Sequence, residues 1–490
     1  MRVAHGEQRR GSWVRARRQR SGSVRRVLDI VCVGSLLVTG LLAQSNDPFA
    51  AHAAGWGPMV NETTFFSRWA EDWSSARAQG EAPLGKAMEL GDDVWITLSA
   101  ESRLRANRHT NARLRDGDDF TEGLWRGVLG ADLHVGEHLR FYGELASGRL
   151  DGPGTPSPNF DNDVALSQAF VDVRDRRDGL LVGAMLGRQE FADGPRQLVS
   201  LSDGPNLHRT WNGIRGYVHG DSARVSAFAL WATRLGDDGF DERIDDDERL
   251  HGVTGSVVLA RGERGASTFV EPFWLHSEVP DVRRFDESHG DRRDTLGARL
   301  HGRAGRFGFD ETFAYQTGGF GGRDVDAWGV FAGQDLLLAD ASARPRATLR
   351  IDVASGGGSG GGAVHTFHPL YASSSYLGEG RLLSLANLVL VSPGFSFTPL
   401  TDVKLSAEYG FAWRFAHDDA VYGGGLRAYP GTATARGDEI GRLLRVEGRW
   451  SAPANVVVAL GYERLETGDV LEHAGLPGAD YAFVSVTVRY

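Results

Sequence analysis

The feature that most constrains this chain is a strict two-residue alternation ending at its last residue. In "YAFVSVTVRY" (481–490), Ala482, Val484, Val486, Val488 and Tyr490 share one face, and Tyr481, Phe483, Ser485, Thr487 and Arg489 share the other. A period of two over ten residues specifies a β-strand and is incompatible with an amphipathic helix. The same pattern recurs along the chain. Ile96, Leu98, Ala100 and Leu104 oppose Thr97, Ser99, Glu101, Arg103 and Arg105. Ala347, Leu349, Ile351 and Val353 oppose Arg346, Thr348, Arg350 and Asp352. Val403, Leu405, Ala407, Tyr409, Phe411 and Trp413 oppose Lys404, Ser406, Glu408 and Arg414, and Leu444, Val446 and Trp450 oppose Arg445, Glu447 and Arg449. Further strands read near 124–135, 139–147, 164–174, 181–190, 211–219, 224–234, 250–259, 267–276, 294–302, 307–317, 326–334, 387–397 and 455–464, about eighteen in all. Helical periodicity is confined to "SRWAEDWSSAR" (67–77).

The polar faces carry whole charges of both signs. A soluble all-β sandwich would turn them outward; a membrane barrel turns them into a wet lumen and its apolar faces toward lipid. Aromatic residues near the strand ends fit interfacial girdles. Beyond the leader there is no long apolar run, so a closed barrel is the one membrane-spanning option. The expected fold is therefore all-β, a single transmembrane antiparallel barrel of about 18 strands with long extracellular loops. Tight turns are expected at "HVGEH" and "DRRDG". Long loops are expected at "GRLDGPGTPSPNFDND", "GDDGFDERIDDDE", "SEVPDVRRFDESHGD" and "SGGGSGGGAVHTFHPLYASSSYLGEG".

The first 26 residues hold nine arginines and one acid, followed by an uncharged run at 30–43. That run is too short for a spanning helix and suits the core of an export signal. Cleavage is expected after Ala53, in "AHA", or after Ala43. The expected organisation is a signal peptide at 1–53, an N-terminal periplasmic segment at 54–92 and the barrel at 93–490. The single cysteine, Cys32, falls in the leader, so no disulfide, thiol chemistry or cysteine-bound metal is expected beyond it. Residues 54–490 carry 45 basic and 61 acidic side chains, a net charge of −16 that argues against a nucleic-acid partner. Lys86 and Lys404 are the only lysines.

One stretch is not explained by alternation: "GRQEFADGPRQLVSLSDGPNLHRTWNGIRGYV" (187–218). It resembles the signature of the alginate-export family of outer-membrane proteins. The resemblance extends to "RWAEDWS", "DDVWITLSAESRLR", "LSQAFVDV", the long stretch from "FHPLYASSSYLGEGRLL" through "YGFAWRFAHDDAVYGGG", and the closing "GYERLETGDVLEHAG…DYAFVSVTVRY". Membership implies an eighteen-stranded outer-membrane barrel and, for its best-known member, passage of the polyuronate alginate through an arginine-rich pore. The signature supports Arg188, Glu190, Arg209 and Arg215 as site residues.

Strand parity adds further residues beside that resemblance. The inward arginines it gives are Arg103, Arg105, Arg126, Arg188, Arg215, Arg350, Arg445 and Arg449. The inward acids are Glu101, Asp132, Glu144, Asp172, Asp352, Glu408 and Glu447. Guanidinium groups fork onto carboxylates and stay charged at any working pH, while interspersed acids keep the binding of a polyanion weak enough for release. An equally good reading of each residue is a structural ion pair on the barrel wall.

Other motifs carry less. "GGSGG" (357–361) matches the nucleophile elbow around Ser359 but lacks the flanking strand and helix, so the run reads as a flexible plug or lid. Asp237, Asp241 and Asp245 are weak metal candidates in an acidic loop whose spacing fits no EF-hand. His365 and His368 lack a third ligand. The expectation is a channel without catalytic residues or cofactor. Its cargo is an anionic polysaccharide, with uptake of small acidic oligosaccharides or organic acids as the alternative. The partners expected are outer-membrane lipid and lipopolysaccharide, the barrel-assembly machinery acting on the strand that ends at Tyr490, and periplasmic secretion partners. A barrel enzyme and a plugged structural barrel are the rival classes.

Overall fold

The computed structural model describes residues 47–490, except 61–63, 155–156, 237, 263–266, 285–286, 359–360 and 454. Eighteen long antiparallel strands form one closed sheet. They are β1 (Val94–Thr110), β2 (Phe120–Val135), β3 (Leu139–Asp151), β4 (Asn162–Arg177), β5 (Leu180–Glu190) and β6 (Thr210–His219). Next come β7 (Ala223–Arg234), β8 (Arg243–Ala260), β9 (Thr268–Arg284), β10 (Glu287–Ala304), β11 (Phe307–Phe320) and β12 (Arg323–Leu337). The last six are β13 (Arg346–Ala354), β14 (Leu388–Leu400), β15 (Val403–Trp413), β16 (Glu439–Ala452), β17 (Val456–Thr467) and β18 (Ala479–Arg489). Each pairs with its neighbours in sequence, and β18 closes on β1 from Glu101↔Arg489 to Thr110↔Asp480. Tyr490 completes the seam, exchanging both backbone hydrogen bonds with Ala100. A short strand, Met88–Gly91, continues along β1 beyond that seam.

The outer surface is apolar, as only lipid contact allows: Leu104, Leu129, Leu186, Ile214, Leu296, Phe313, Leu460 and Val484 are all exposed. Girdle aromatics turn their polar tips to carboxylates. Trp274 Nε1 donates to Asp294 (3.0 Å), Tyr315 Oη to Asp326 (2.9 Å) and, at the opposite rim, Trp450 Nε1 to Asp402 (2.6 Å). One rim carries tight connections such as 136–138, 178–179, 305–306 and 401–402, and the other carries 191–209, 355–387 and 414–438. Short turns mark the periplasmic rim and long loops the extracellular one, so both ends of the barrel sequence are periplasmic.

Two expected loops are largely strand. "SEVPDVRRFDESHGD" is the extended top of β9 and β10, paired through Arg284↔Glu287. The acidic run is loop only up to Glu242, and from Arg243 onward it is β8. These strands project above the membrane, where water satisfies charged side chains and no apolar face is required. The helical stretch expected at 67–77 divides into a 3₁₀ turn, Arg68–Ala70, and a short α-helix, Ser74–Gln79.

The lumen is filled from both ends. From outside, segments 191–209, 361–387 and 414–438 fold inward and bury Leu198, Val199, Trp211, Tyr371, Leu377 and Tyr429 in one core. From the periplasmic side, residues 47–60 and 64–70 enter. Asp47 accepts from Trp56 Nε1 (2.8 Å) and pairs with the buried His219 ring (2.7 Å), and Phe49 packs edge-on against Phe269. Arg215 donates to the Gly55 carbonyl (3.0 Å), and Arg224 donates to that of Ala53. Gly55 has φ +78°, and a Cβ there would lie 2.6 Å from the Asp193 carboxyl group, so the close approach requires glycine.

Candidate functional site

A cavity of about 420 Å³ remains between these fillings and the wall from β13 round to β2. It is lined by nine basic side chains, Arg103, Arg105, Arg126, Arg196, Arg350, Lys404, Arg445, Arg449 and Arg489, against four acids, Asp203, Glu379, Glu408 and Glu447. The strand residues arrive by alternation: Arg445, Glu447 and Arg449 on β16 are two apart and share the inward face.

Several of these cations are fully engaged. Arg103 donates to the carbonyls of Asp203 (2.6 Å) and Pro205 (2.7 Å), fastening loop 191–209 to β1. Arg126, directly across the β1–β2 ladder from Arg103, binds Glu101 (2.5 Å) and Asp203 (2.8 Å). Arg489 also reaches Glu101 (2.9 Å). Arg105 holds Tyr481 Oη (2.6 Å) and Glu379 (3.1 Å). Arg350 and Arg445 both donate to the Tyr376 carbonyl, at 2.7 and 3.1 Å, and share Glu408.

Three cations are not so engaged. Lys404 and Arg449 face each other directly in the β15–β16 register, and neither lies within ion-pair distance of a carboxylate among the described residues. Like charges directly opposite are destabilising in a sheet, so an anion between them would relieve the pair. Arg196, exposed to the lumen, makes no ion pair among the described residues and stacks over the Tyr376 ring at 5.1 Å. All three present free N–H donors to the cavity.

A second node sits beside it. His208 bridges Glu190 (2.5 Å) and Asp203 (2.8 Å), and Ser67 of the N-terminal segment also binds Glu190. Burial opposes the imidazolium, but the carboxylates prevail and its pKa is pushed up to about 9. Burial likewise opposes ionisation of Asp203, yet Arg126 and Arg103 hold it well below the usual carboxylate range.

The expected site residues thus divide. Arg103, Arg105, Arg126, Arg350, Arg445, Arg449, Glu408 and Glu447 line the cavity. Arg188 is spent on Glu242 (3.1 Å), Asn212 and the Leu166 carbonyl. Arg215 is buried against Asp193 (2.7 Å) and under Trp56, as part of the N-terminal packing. Arg209 lies over Tyr371 and lines a separate outer cavity. Asp132 binds Arg140, Glu144 accepts from Tyr142 and Gln168, Asp172 accepts from Tyr217, and Asp352 accepts from Tyr376. Glu101 sits behind the cavity wall, between Arg126 and Arg489.

Asp245 is on β8 and takes Arg234, Asp241 caps the Asp238 amide, and Asp237 lies outside the described residues, as does Ser359. Among the described residues no group of three such side chains is placed to hold a metal. Parity also puts Lys404 and Arg489 on polar faces, whereas Arg196, Asp203 and Glu379 come from loops, which carry no periodic signal.

Residues 94–485 match the family described as alginate export. The chain belongs to the alginate export family. The protein is thus an outer-membrane β-barrel channel, in contact with outer-membrane lipid. Solved porins share the fold at low identity. OccD3 (OpdP) of Pseudomonas aeruginosa is 12% identical with a TM-score of 0.55, covering 83% of this chain and 94% of its own. OccAB1 of Acinetobacter baumannii is 9% identical with a TM-score of 0.54, covering 84% and 99%. OccK2 (OpdF) of P. aeruginosa, solved with glucuronate, is 12% identical with a TM-score of 0.51, covering 83% and 98%. No curated protein sequence matches the chain.

Proposed function

We propose that this alginate-export family member conducts an anionic polysaccharide of the polyuronate class across the outer membrane. The carrying observation is the cationic cavity with unpaired donors on Arg196, Lys404 and Arg449. A polyuronate brings one carboxylate per sugar, and each unpaired cation offers it a charge-assisted hydrogen bond. Glu379, Glu408 and Glu447 keep successive sites weak enough for release. Passage is passive and needs no catalytic step, with periplasmic secretion partners delivering cargo. The assembly machinery would take the strand ending at Tyr490.

A second reading is uptake of small acidic saccharides. It is favoured by the small size of the cavity, about 420 Å³, and by a porin of the same fold solved with glucuronate.

Planar-bilayer recording separates the two. Polyuronate added on one side should block the current, and Arg196→Ala or Arg449→Ala should each weaken the block about tenfold or more, the loss of one charge-assisted bond. A channel blocked by glucuronate but indifferent to the polymer points to uptake instead.

A further inference from the structure

A second cavity, of about 370 Å³, lies on the extracellular side of the first and is lined by Arg209, Arg283 and Arg381 against Glu248 and Asp281. Loops 191–209 and 355–387 contribute lining to both chambers, Ser202 to the outer one and Arg196 and Asp203 to the inner one. Ser373, Ser374 and Tyr376 face the outer chamber, and Ser375 and Glu379 face the inner one. We infer that the strip of residues 373–381 is a diaphragm displaced by the cargo's own carboxylates, with Tyr376 as its pin; the inference rests on the polyuronate reading above.

Tyr376 holds the strip through every polar atom it has beyond its amide. Its hydroxyl donates to Asp352 (2.6 Å) and accepts from Gln197 (3.2 Å). Its ring lies between the guanidiniums of Arg196 (5.1 Å) and Arg350 (5.0 Å), and its carbonyl accepts from Arg350 (2.7 Å) and Arg445 (3.1 Å). Arg196, which offers donors to the cargo, and the cavity-lining Arg350 and Arg445 therefore also hold the strip in place.

Arg350 and Arg445 each already spend one nitrogen on the shared Glu408 carboxylate and the other on the neutral Tyr376 carbonyl, and a carboxylate forms roughly twice as strong a bond as a carbonyl to the same guanidinium. A uronate reaching Arg350 and Arg445 takes both donors from Tyr376 and loosens the middle of the strip, while Ser374 stays tied to the Gly204 amide and Glu379 to Arg105 and Glu463. Gly378, at φ +139°, takes a turn that other residues avoid, and the Glu379 and Gly380 amides bound to Glu463 form the fixed end about which the rest of the strip moves. No covalent step is involved, and binding energy alone shifts the equilibrium, because the cargo binds the open arrangement better.

A disulfide lock tests this. A Cβ built on Gly204 falls 3.4 Å from Ser374 Cβ, close to the separation a disulfide spans. Gly204 is itself fastened to the wall by Arg103, and Cys32 in the leader is the only native cysteine. In proteoliposomes loaded with a short polyuronate, oxidised G204C/S374C should release polymer at least tenfold more slowly than the same protein under reductant. Chloride conductance should persist in both states. Equal release in the two states overturns the diaphragm.

Tyr376→Phe, which keeps the ring and carbonyl but loses the Asp352 tie, gives an independent reading should the double variant not fold. It should raise release several-fold, and an unchanged rate overturns the pin. A wild-type protein that passes no polymer sinks the polyuronate reading itself, whereas a polymer-passing channel indifferent to the lock sinks only the diaphragm.

Discussion

Titrating His208 should release loop 191–209 from the wall. The imidazole sits between Glu190 of β5 and Asp203 of the loop, with Arg126 of β2 opposing it and Glu144 of β3 adding to the acidic surroundings. Raised from an ordinary value of 6.5 to about 9, it stabilises the folded loop by roughly 3 kcal/mol when protonated. Asp203 keeps 41% side-chain exposure to lumen water, so its share is screened and the realised figure is about 2 kcal/mol. Because the folded-state value is the higher one, this contribution is complete below pH 6.5 and is lost as pH rises through 9. About 2 kcal/mol is a roughly thirtyfold change in the ratio of held to released loop. Single-channel recordings from pH 7 to pH 10.5 should therefore show rising conductance or gating noise centred near pH 9. His208→Gln should show the raised level already at pH 7 and stay flat thereafter. That variant also separates this transition from Lys86, whose ammonium is pulled down to about 8 by burial at the periplasmic seam. A wild-type channel flat to pH 10.5 and indistinguishable from His208→Gln would refute the reasoning.

Other perturbations test the remaining contacts. Asp193 is fully buried and holds Arg215, Arg224 and Thr254, so Asp193→Ala leaves two buried guanidiniums without their carboxylate. A loss of about 3–5 kcal/mol is expected, read as a lower unfolding midpoint in denaturant. Polymer block should weaken steeply between low and high salt, because the lining is charged and open to water; a salt-independent block would exclude the arginines as its cause. Processing is expected upstream of Asp47, since Asp47, Phe49 and Ala53 fill contacts inside the barrel. The intact mass of protein isolated from outer membranes measures this, and a mature chain starting at Ala54 would contradict it.

The eighteen strands and the face each side chain takes were legible in the sequence, because alternation is a local property: Arg445, Glu447 and Arg449 must point one way and Val446 the other. Closure by the final strand follows similarly, since an exposed strand edge cannot stand in lipid. The same rule failed at 277–291 and 243–248, where strands leave the membrane and carry charge on both faces. Tertiary structure alone decided which arginines remain free. Arg103 is consumed by Asp203 and Pro205, Arg105 by Glu379, and Arg350 by Tyr376, all partners on loops that fold back from far along the chain. For the signature residues Arg188 and Arg215 the sequence left pore group and structural ion pair equally open, and the structure pairs them with Glu242 and Asp193. Parity fixes direction but not neighbours. What fills a lumen is set by long-range packing of segments without a period, and that packing leaves Arg196, Lys404 and Arg449 facing water.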